Sequence, residues 1–519
     1  MATLTAPPER FNFAQYLFTL NAGRAEKVAY IDDRGTLTYD QLATQSRRFA
    51  AALLRQGVRR EERILLAMLD CREWAVAFLG SLYAGVVPVC VNTLLPPDEH
   101  AYMLEHCHAQ AVFTSAELYD NFRTALAHAA AESLPVVVAG AAPEGATAFE
   151  RFVAVDPLPA PTDTAADDIA FWLYSSGSTG RPKAAVHSHA NAYWTIETYG
   201  RNVLKLRKED VVFSAAKLFF AYGLGNGLSF PLAVGATVVL MSGRPTPAAV
   251  FAHLVEHKVT VFYGVPTLFS SMLADPNRPS RDAVSMRLCT SAGEPLPEEI
   301  GKRFRAQFGC DILDGIGSTE MLHIFICNRA EDVRYGTTGT PVPGYEISLR
   351  NEDGSAVADG EIGDLYINGP SAALMYWTDR ERSRATFQGV WTKAGDKYIR
   401  DQQGYYHYCG RSDDMLKVSG QYVSPAEVES TLISHDTVLE AAVIGVANSE
   451  GLMKTKAFVV LKPAVTGSRD LERELHEYIK SRLAPHKAPG GIEFLAELPK
   501  TATGKIQRFR LRERESDIK

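Results

Sequence analysis

Residues 171–189 read FWLYSSGSTGRPKAAVHSH. The apolar run 169–174 predicts a buried strand, and a second apolar run follows Lys183. Between them stand Ser175, Ser176, Gly177, Ser178, Thr179 and Gly180, then Arg181, Pro182 and Lys183. Small residues let neighbouring backbone N–H groups point into one concavity. Hydroxyls and a lysine add further donors, and that chemistry suits a polyphosphate. The spacing is not the Walker A pattern, because no Gly-Lys-Ser/Thr closes the loop and Pro182 precedes the lysine. Taken by itself the stretch reads equally as a Gly/Ser hairpin loop.

Outward from this stretch, short apolar runs alternate with segments of helical spacing. On the N-terminal side, 11–20 and 37–54 predict helices, the second with Thr38 as its cap. Strands at 64–69, 86–91, 111–114 and 136–139 alternate with helices at 72–84 and 97–107. Residues 140–168, rich in Ala, Pro, Thr and Asp, read as a connector. Beyond the loop, helices at 190–204, 223–234, 247–257, 266–273 and 297–308 alternate with strands at 211–215, 236–241, 259–263, 286–291 and 311–316. Such alternation indicates βαβ units and mostly parallel sheets, here in two runs. From about residue 340 the texture changes to short strands at 345–350, 363–368, 398–400 and 405–408. They are broken by NEDGS, ADGEIGD and RDQQG, which signal antiparallel turns. After residue 410 come helices at 424–433 and 470–483 and strands at 439–446 and 456–461, enough for a small domain. The terminal RFRLRERESDIK is charged with both signs and reads as a solvated end.

The 519 residues allow several compact units, and 46% hydrophobic with 22% charged residues is ordinary globular composition. A net charge of −7 supplies no basic excess for nucleic acid. Residues 1–10 carry two prolines and charges without an apolar segment, and no apolar run is long enough to span a bilayer. Seven cysteines, an odd number with no Cys-x-x-Cys pair, fit reduced thiols. The expectation is a soluble cytoplasmic protein with neither nucleic-acid nor membrane partners, and a homodimer is compatible with it. His106, Cys107 and His108 lie together, but neighbours on a helix diverge, so no metal site is expected there.

Four more blocks follow the loop in order: IGSTE at 316–320, WTKAGD at 391–396, GRSDDMLKVSG at 410–420 and PKTATGK at 499–505. Together they resemble the adenylate-forming superfamily of acyl-CoA synthetases, nonribosomal-peptide adenylation domains and beetle luciferases. The resemblance covers nearly the whole chain. Within it, AKLFFAYGLGNGLSFPL at 216–232 and GSTEMLHIF at 317–325 are most similar to benzoate–CoA ligases.

The resemblance implies an α/β fold. A large N-terminal domain of parallel-rich sheets with a small β-barrel-like subdomain (1–412) would precede a mobile C-terminal α+β lid (413–519), hinged near Asp413. It implies ATP, Mg²⁺ and CoA as reactants or cofactor, and a small aromatic acid as substrate. Lys505, Thr319, Glu320 and Lys183 would be catalytic, with Glu320 on the metal. The loop Ser175–Gly180, then Ser291, Ala292, Gly293, Glu294 and Pro295, then Asp314, Gly315 and Ile316 would surround the nucleotide. Asp396 and Arg411 would take its ribose. Ile316 stands where the family usually has an aromatic, so adenine would meet an aliphatic face. Phe219, Ala221, Tyr222, Gly223, Gly317 and His323 would enclose the acid. Phe219 and Tyr222 also read as core aromatics. Many relatives carry Pro-x-Phe-His before the glycine; here the matching residues are Lys217 and Phe220. Gly420 would leave room for the pantetheine arm. His187 and His189 read as structural. A stand-alone carrier-protein loading enzyme, a luciferase-like oxygenase and a non-catalytic nucleotide sensor are the rival readings.

Overall fold

The computed structural model describes residues 4–177, 180–412, 415–418, 421–447, 453–463, 465–484, 487–500 and 506–517. Two large sheets dominate. The first has eight strands. Parallel strands Val136–Ala139, Ala109–Ser115, Arg63–Ala67, Val87–Cys90 and Ile169–Gly177 lie side by side, with Thr147–Ala148 at one edge. At the other, Gly180–Ser188 pairs antiparallel with Ile169–Gly177, and Met375–Tyr376 pairs antiparallel outside it. The 171–189 stretch is therefore a long hairpin at the margin of the sheet.

The second sheet has nine strands and six of them are parallel: Val28–Asp32, Thr237–Val239, Val211–Ser214, Val261–Gly264, Leu288–Ser291 and Ile312–Gly317. Two runs of alternating elements thus become two sheets, as the sequence suggests. The exception is Val28–Asp32, with its hairpin partner Gly35–Thr38. These strands pass unnoticed in the sequence and join the second sheet from the far N-terminus.

Period-2 alternation assigns each side chain to a layer. Ile64 and Leu66 face a core shared with Val212, Val238 and Val261 of the other sheet, while Leu65 and Ala67 face outward beneath the Pro97–Cys107 helix. Phe213, Val239 and Phe262 face the opposite outer layer, under helices Pro247–Glu256, Pro266–Ala274 and Glu298–Phe308. Helix Arg72–Tyr83 is caught in the shared core and is buried from Glu73 to Tyr83. Gly80 is required there: a Cβ would stand 2.6 Å from the Ser46 carbonyl oxygen of helix Tyr39–Arg55. That helix opens with the predicted cap, in which Thr38 and Gln41 bond reciprocally to each other's backbone N–H.

Residues 346–411 form a five-stranded antiparallel sheet. WTKAGD lies in its long strand Trp391–Arg400. The connector 140–168 also carries a short helix, Phe149–Phe152, whose phenylalanines are buried. The C-terminal part has cores of its own, built on strands Val438–Ala447, Met453–Leu461 and Gly491–Phe494. The terminal segment corrects the sequence reading. Arg508–Asp517 is a helix, Leu511 is 1% exposed, and Arg508 donates to both oxygens of Glu429. One buried leucine in a charged stretch leaves no periodic signal, so the helix is set by tertiary packing.

Candidate active site

Ligands of open α/β sheets bind beyond the carboxyl ends of the strands. Strand Leu288–Ser291 ends at Ser291, which is paired with Asp314 on Ile312–Gly317. Past that strand the chain makes the tight turn that carries Thr319 and Glu320. Leu322 adopts φ +63, a conformation uncommon outside glycine, to reverse the backbone. Residues 316–320 are all partly exposed, so this end of the sheet opens to solvent.

The hairpin of the first sheet meets this turn. Lys183 Nζ lies 3.2 Å from Glu320 Oε1. The hydroxyl of Tyr376 stands between them, accepting from Lys183 at 2.7 Å and donating to Glu320 Oε1 at 2.6 Å. The lysine ammonium also sits 4.4 Å from the centre of the Tyr376 ring. Burial works against the charge of Glu320, but the Lys183 ammonium and the tyrosine hydroxyl outweigh it and hold the carboxyl below its ordinary range. Tyr376 was not anticipated from the sequence. It stands in an apolar MYW run, and only pairing of that edge strand with the hairpin brings it to Lys183.

His187 fixes the same junction. Its Nε2 donates to the Thr319 carbonyl at 2.9 Å, and its Nδ1 accepts from Asn191 at 2.9 Å. Burial pushes its pKa down to about 4, as it does for His189, so both rings are neutral structural groups, in keeping with the sequence reading.

Several buried polar atoms around these strand ends have no hydrogen-bond partner among the described residues: Ser175 Oγ, Ser291 Oγ and Asp314 Oδ1. Leaving such a group unpaired costs about 1–3 kcal/mol, which is commonly recovered by a ligand or water. Burial also pushes the Asp314 carboxyl well up from its ordinary value. Ile316 is half-buried at the margin of the shared core. Gly293 turns at φ +93 beside the buried Ala292, with Glu294 and Pro295 following at the surface. On the third sheet Asp396 and Arg411 are cross-strand partners, with Nη1 and Oδ1 3.5 Å apart.

A small apolar cavity lies beside the turn, lined by Ala221, Leu224, Gly225, Leu322 and His323 among others. A π-helical turn, Gly225–Ser229, forms part of its wall. Gly225 is needed because a Cβ would lie 2.4 Å from the His323 ring; at Gly317 one would lie 2.6 Å from the His323 carbonyl oxygen. His323 is buried among Tyr199, Tyr222 and Phe230. Its Nε2 donates to the Tyr222 carbonyl at 3.3 Å, and its Nδ1 has no partner among the described residues. Burial pushes its pKa down to about 3, so the ring is neutral. The Tyr222 hydroxyl bonds Thr290 at 2.5 Å. Gly223 passes over Lys217, whose carbonyl oxygen would be 2.0 Å from a Cβ. Phe219 packs in the shared core against Phe220.

Ser178, Thr179, Asp413, Gly420 and Lys505 lie outside the described residues. Of Ser176, Gly177 and Gly180 the strand backbone alone is described. Among the described residues no cluster of three or more His, Cys, Asp or Glu could hold a metal, and the seven cysteines are free and buried. No helix among them is long and apolar enough to cross a membrane.

The family model for AMP-binding enzymes matches residues 18–377, and that for the C-terminal domain of AMP-binding enzymes matches 427–505. This chain belongs to the AMP-binding enzyme family. It is 53% identical to a benzoate–CoA ligase of Thauera aromatica over 97% of this chain and 96% of that one. Among solved structures, a benzoate CoA ligase from Burkholderia xenovorans LB400 is 60% identical, with a TM-score of 0.92 over 97% of this chain and 100% of that one. An anthranilate CoA ligase in complex with anthranoyl-AMP is 40% identical, with a TM-score of 0.94 and 98% of each chain covered.

Proposed function

We propose that the chain is an AMP-forming benzoate–CoA ligase, making benzoyl-CoA, AMP and pyrophosphate from benzoate, ATP and CoA through benzoyl adenylate. The observation that carries this reading is the convergence of Lys183, Tyr376 and Glu320 beside the apolar cavity under Ala221 and His323. One end of that arrangement suits phosphates; the other is apolar in lining and, at about 10 Å³, has to open before an aryl ring fits.

In the first step a benzoate oxygen bonds to the α-phosphorus, and the bond to the β-bridging oxygen breaks. Catalysis of such a transfer is mainly positioning and charge neutralisation. Lys183 supplies a cation on the pyrophosphate side, and the Thr319 hydroxyl donates to the α-phosphate. Glu320 fits Mg²⁺, because the carboxylate is a hard donor held ionised, and Mg²⁺ takes one or two carboxylates together with substrate phosphates. That ion, when bound, neutralises phosphate charge. Residues 291–295 and 314–316 wall the adenine, and Asp396 with Arg411 takes the ribose hydroxyls. Lys505 brings a second cation to the α-phosphate and the attacking carboxylate. In the second step the CoA sulfur bonds to the carbonyl carbon, the bond to AMP breaks, and the thiol proton leaves to solvent. Residues 413–519 act as a lid hinged at Asp413, with Gly420 leaving room for the thiol arm.

A second reading, a ring-substituted benzoate, rests on the unpaired His323 Nδ1 beside the cavity. A hydroxyl or amino substituent would bring a donor to it. Pyrophosphate release across benzoate, halobenzoates, hydroxybenzoates and aliphatic acids, with and without CoA, separates the two. Preference for benzoate supports the first, preference for a hydroxybenzoate the second, and turnover of aliphatic acids alone defeats both.

A further inference from the structure

We propose that Tyr376 is the positioning residue that sets Lys183 and Glu320 relative to each other, carried on a strap formed by residues 371–378. The inference rests on the reading of Lys183 as a phosphate-handling cation and Glu320 as the metal carboxylate. The strap is tied to both halves of the site. Ser371 Oγ donates to the Met321 carbonyl, and Ala373 N donates to the carbonyl of Glu320 itself at 2.7 Å. Leu374 N and Trp377 N donate to Val186 and Ala184 on the strand that carries Lys183. At its end Thr378 is held at φ +53, unusual for a β-branched residue, with its hydroxyl 2.9 Å from His106 Nε2. The eight residues of the strap thus bridge the first sheet and the turn of the second, and the Tyr376 hydroxyl bonds both charged groups.

The geometry explains what the hydroxyl does. The ammonium and the carboxylate form a direct pair at 3.2 Å, and the phenol, bonded to both, fixes the angle and the oxygen through which they meet. The phenol occupies one of the three lysine donors and shares Oε1 of the carboxylate. Oε2 takes neither contact, and with one lysine proton on the phenol and one directed at Oε1, one is left over. Both partners are therefore held in place while keeping capacity for a polyphosphate and its cation, so little reorganisation is needed when these arrive.

The test is Tyr376→Phe, which keeps the ring and its packing against Phe387. A hydrogen bond to a charged group is worth roughly 10- to 100-fold in an equilibrium constant. The dissociation constant for MgATP, measured by calorimetry without acid or CoA, is expected to rise at least tenfold. The Mg²⁺ concentration for half-maximal binding should rise with it, while the benzoate KM at saturating MgATP and the melting temperature stay close to wild type. Glu320→Gln and Lys183→Ala are run beside it. Impaired MgATP binding in those two with unchanged binding in Tyr376→Phe overturns the proposal. So does a large fall in melting temperature with every ligand weakened alike, since that is packing alone. Unchanged MgATP binding in Glu320→Gln and Lys183→Ala removes instead the reading of the site on which the proposal stands.

Discussion

Ala221 lines the cavity while its neighbour Tyr222 turns its hydroxyl to Thr290, and this decides how substrate choice can be tested. Shortening the wall with Ala221→Gly should raise kcat/KM for a ring-substituted benzoate relative to benzoate. Ala221→Leu should weaken benzoate itself. A methyl-sized change in an apolar pocket is worth roughly 10- to 200-fold in discrimination. The ranking of acids, read beside the melting temperature, checks it: a lower melting point with the same ranking would make Ala221 a core residue only. At this scale the sequence is informative where chemistry is local. Thr319 and Glu320 sit in one short block, and both lie at the strand end where the fold exposes them. Tyr376 is different. Nothing in its neighbours marks it, because its role depends on residues 183 and 320, which only the assembled sheets bring near. His323 lines the small cavity as a buried neutral ring, which the sequence does not show, since burial depends on Tyr199 and Phe230.

Among elements, the paired strands Ile169–Gly177 and Gly180–Ser188 deliver Lys183 to Glu320. Apolar periodicity is what makes most of the parallel strands and their helices legible; the strand predicted at 169–174 runs on to Gly177, and the helix Tyr119–His128 is not read from the sequence. It fails where burial rests on a single side chain, as in the helix Arg508–Asp517. Leu511 there packs with Ala442, Ile444, Phe458 and Leu498. Leu511→Ala should destabilise the C-terminal part by about 2–5 kcal/mol. Denaturant unfolding followed by hydrogen exchange should then show protection lost in strands Val438–Ala447 and Met453–Leu461 before residues 63–188. A uniform loss throughout the chain would contradict separate cores.

For the whole molecule, two substitutions should split the reaction. Lys505→Ala should nearly abolish pyrophosphate release yet spare thioester formation from supplied benzoyl adenylate. Gly420→Leu should do the reverse, with adenylation intact and benzoyl-CoA lost. Equal damage to both half-reactions in either variant would remove the two-conformation mechanism. Acid sensitivity follows from three buried histidines, His187 and His189 near pKa 4 and His323 near 3. Their pKa values are lower folded than unfolded, so the unfolded chain binds more protons between pH 6.5 and 4. Stability is full above pH 6.5 and falls as pH drops through that window. Asp70, pushed up to about 6 by burial, works in the opposite sense below pH 6. His189→Gln should therefore lower the proton uptake on unfolding at pH 5 by about one, measured by calorimetry in buffers of different ionisation enthalpy. The strand Val28–Asp32 has a last consequence, which concerns time. Its parallel partner begins at Thr237, 209 residues after Val28. At a synthesis rate of roughly 5–20 residues per second, the ribosome delivers that partner about 10–40 s later. Throughout this interval the strand has its hairpin partner Gly35–Thr38 and the helices Tyr39–Arg55 and Arg72–Tyr83 against it, but no parallel neighbour. The second sheet is thus nucleated early and closed late, and a chaperone that shields the first forty residues is where the yield of this protein in a cell should be most sensitive.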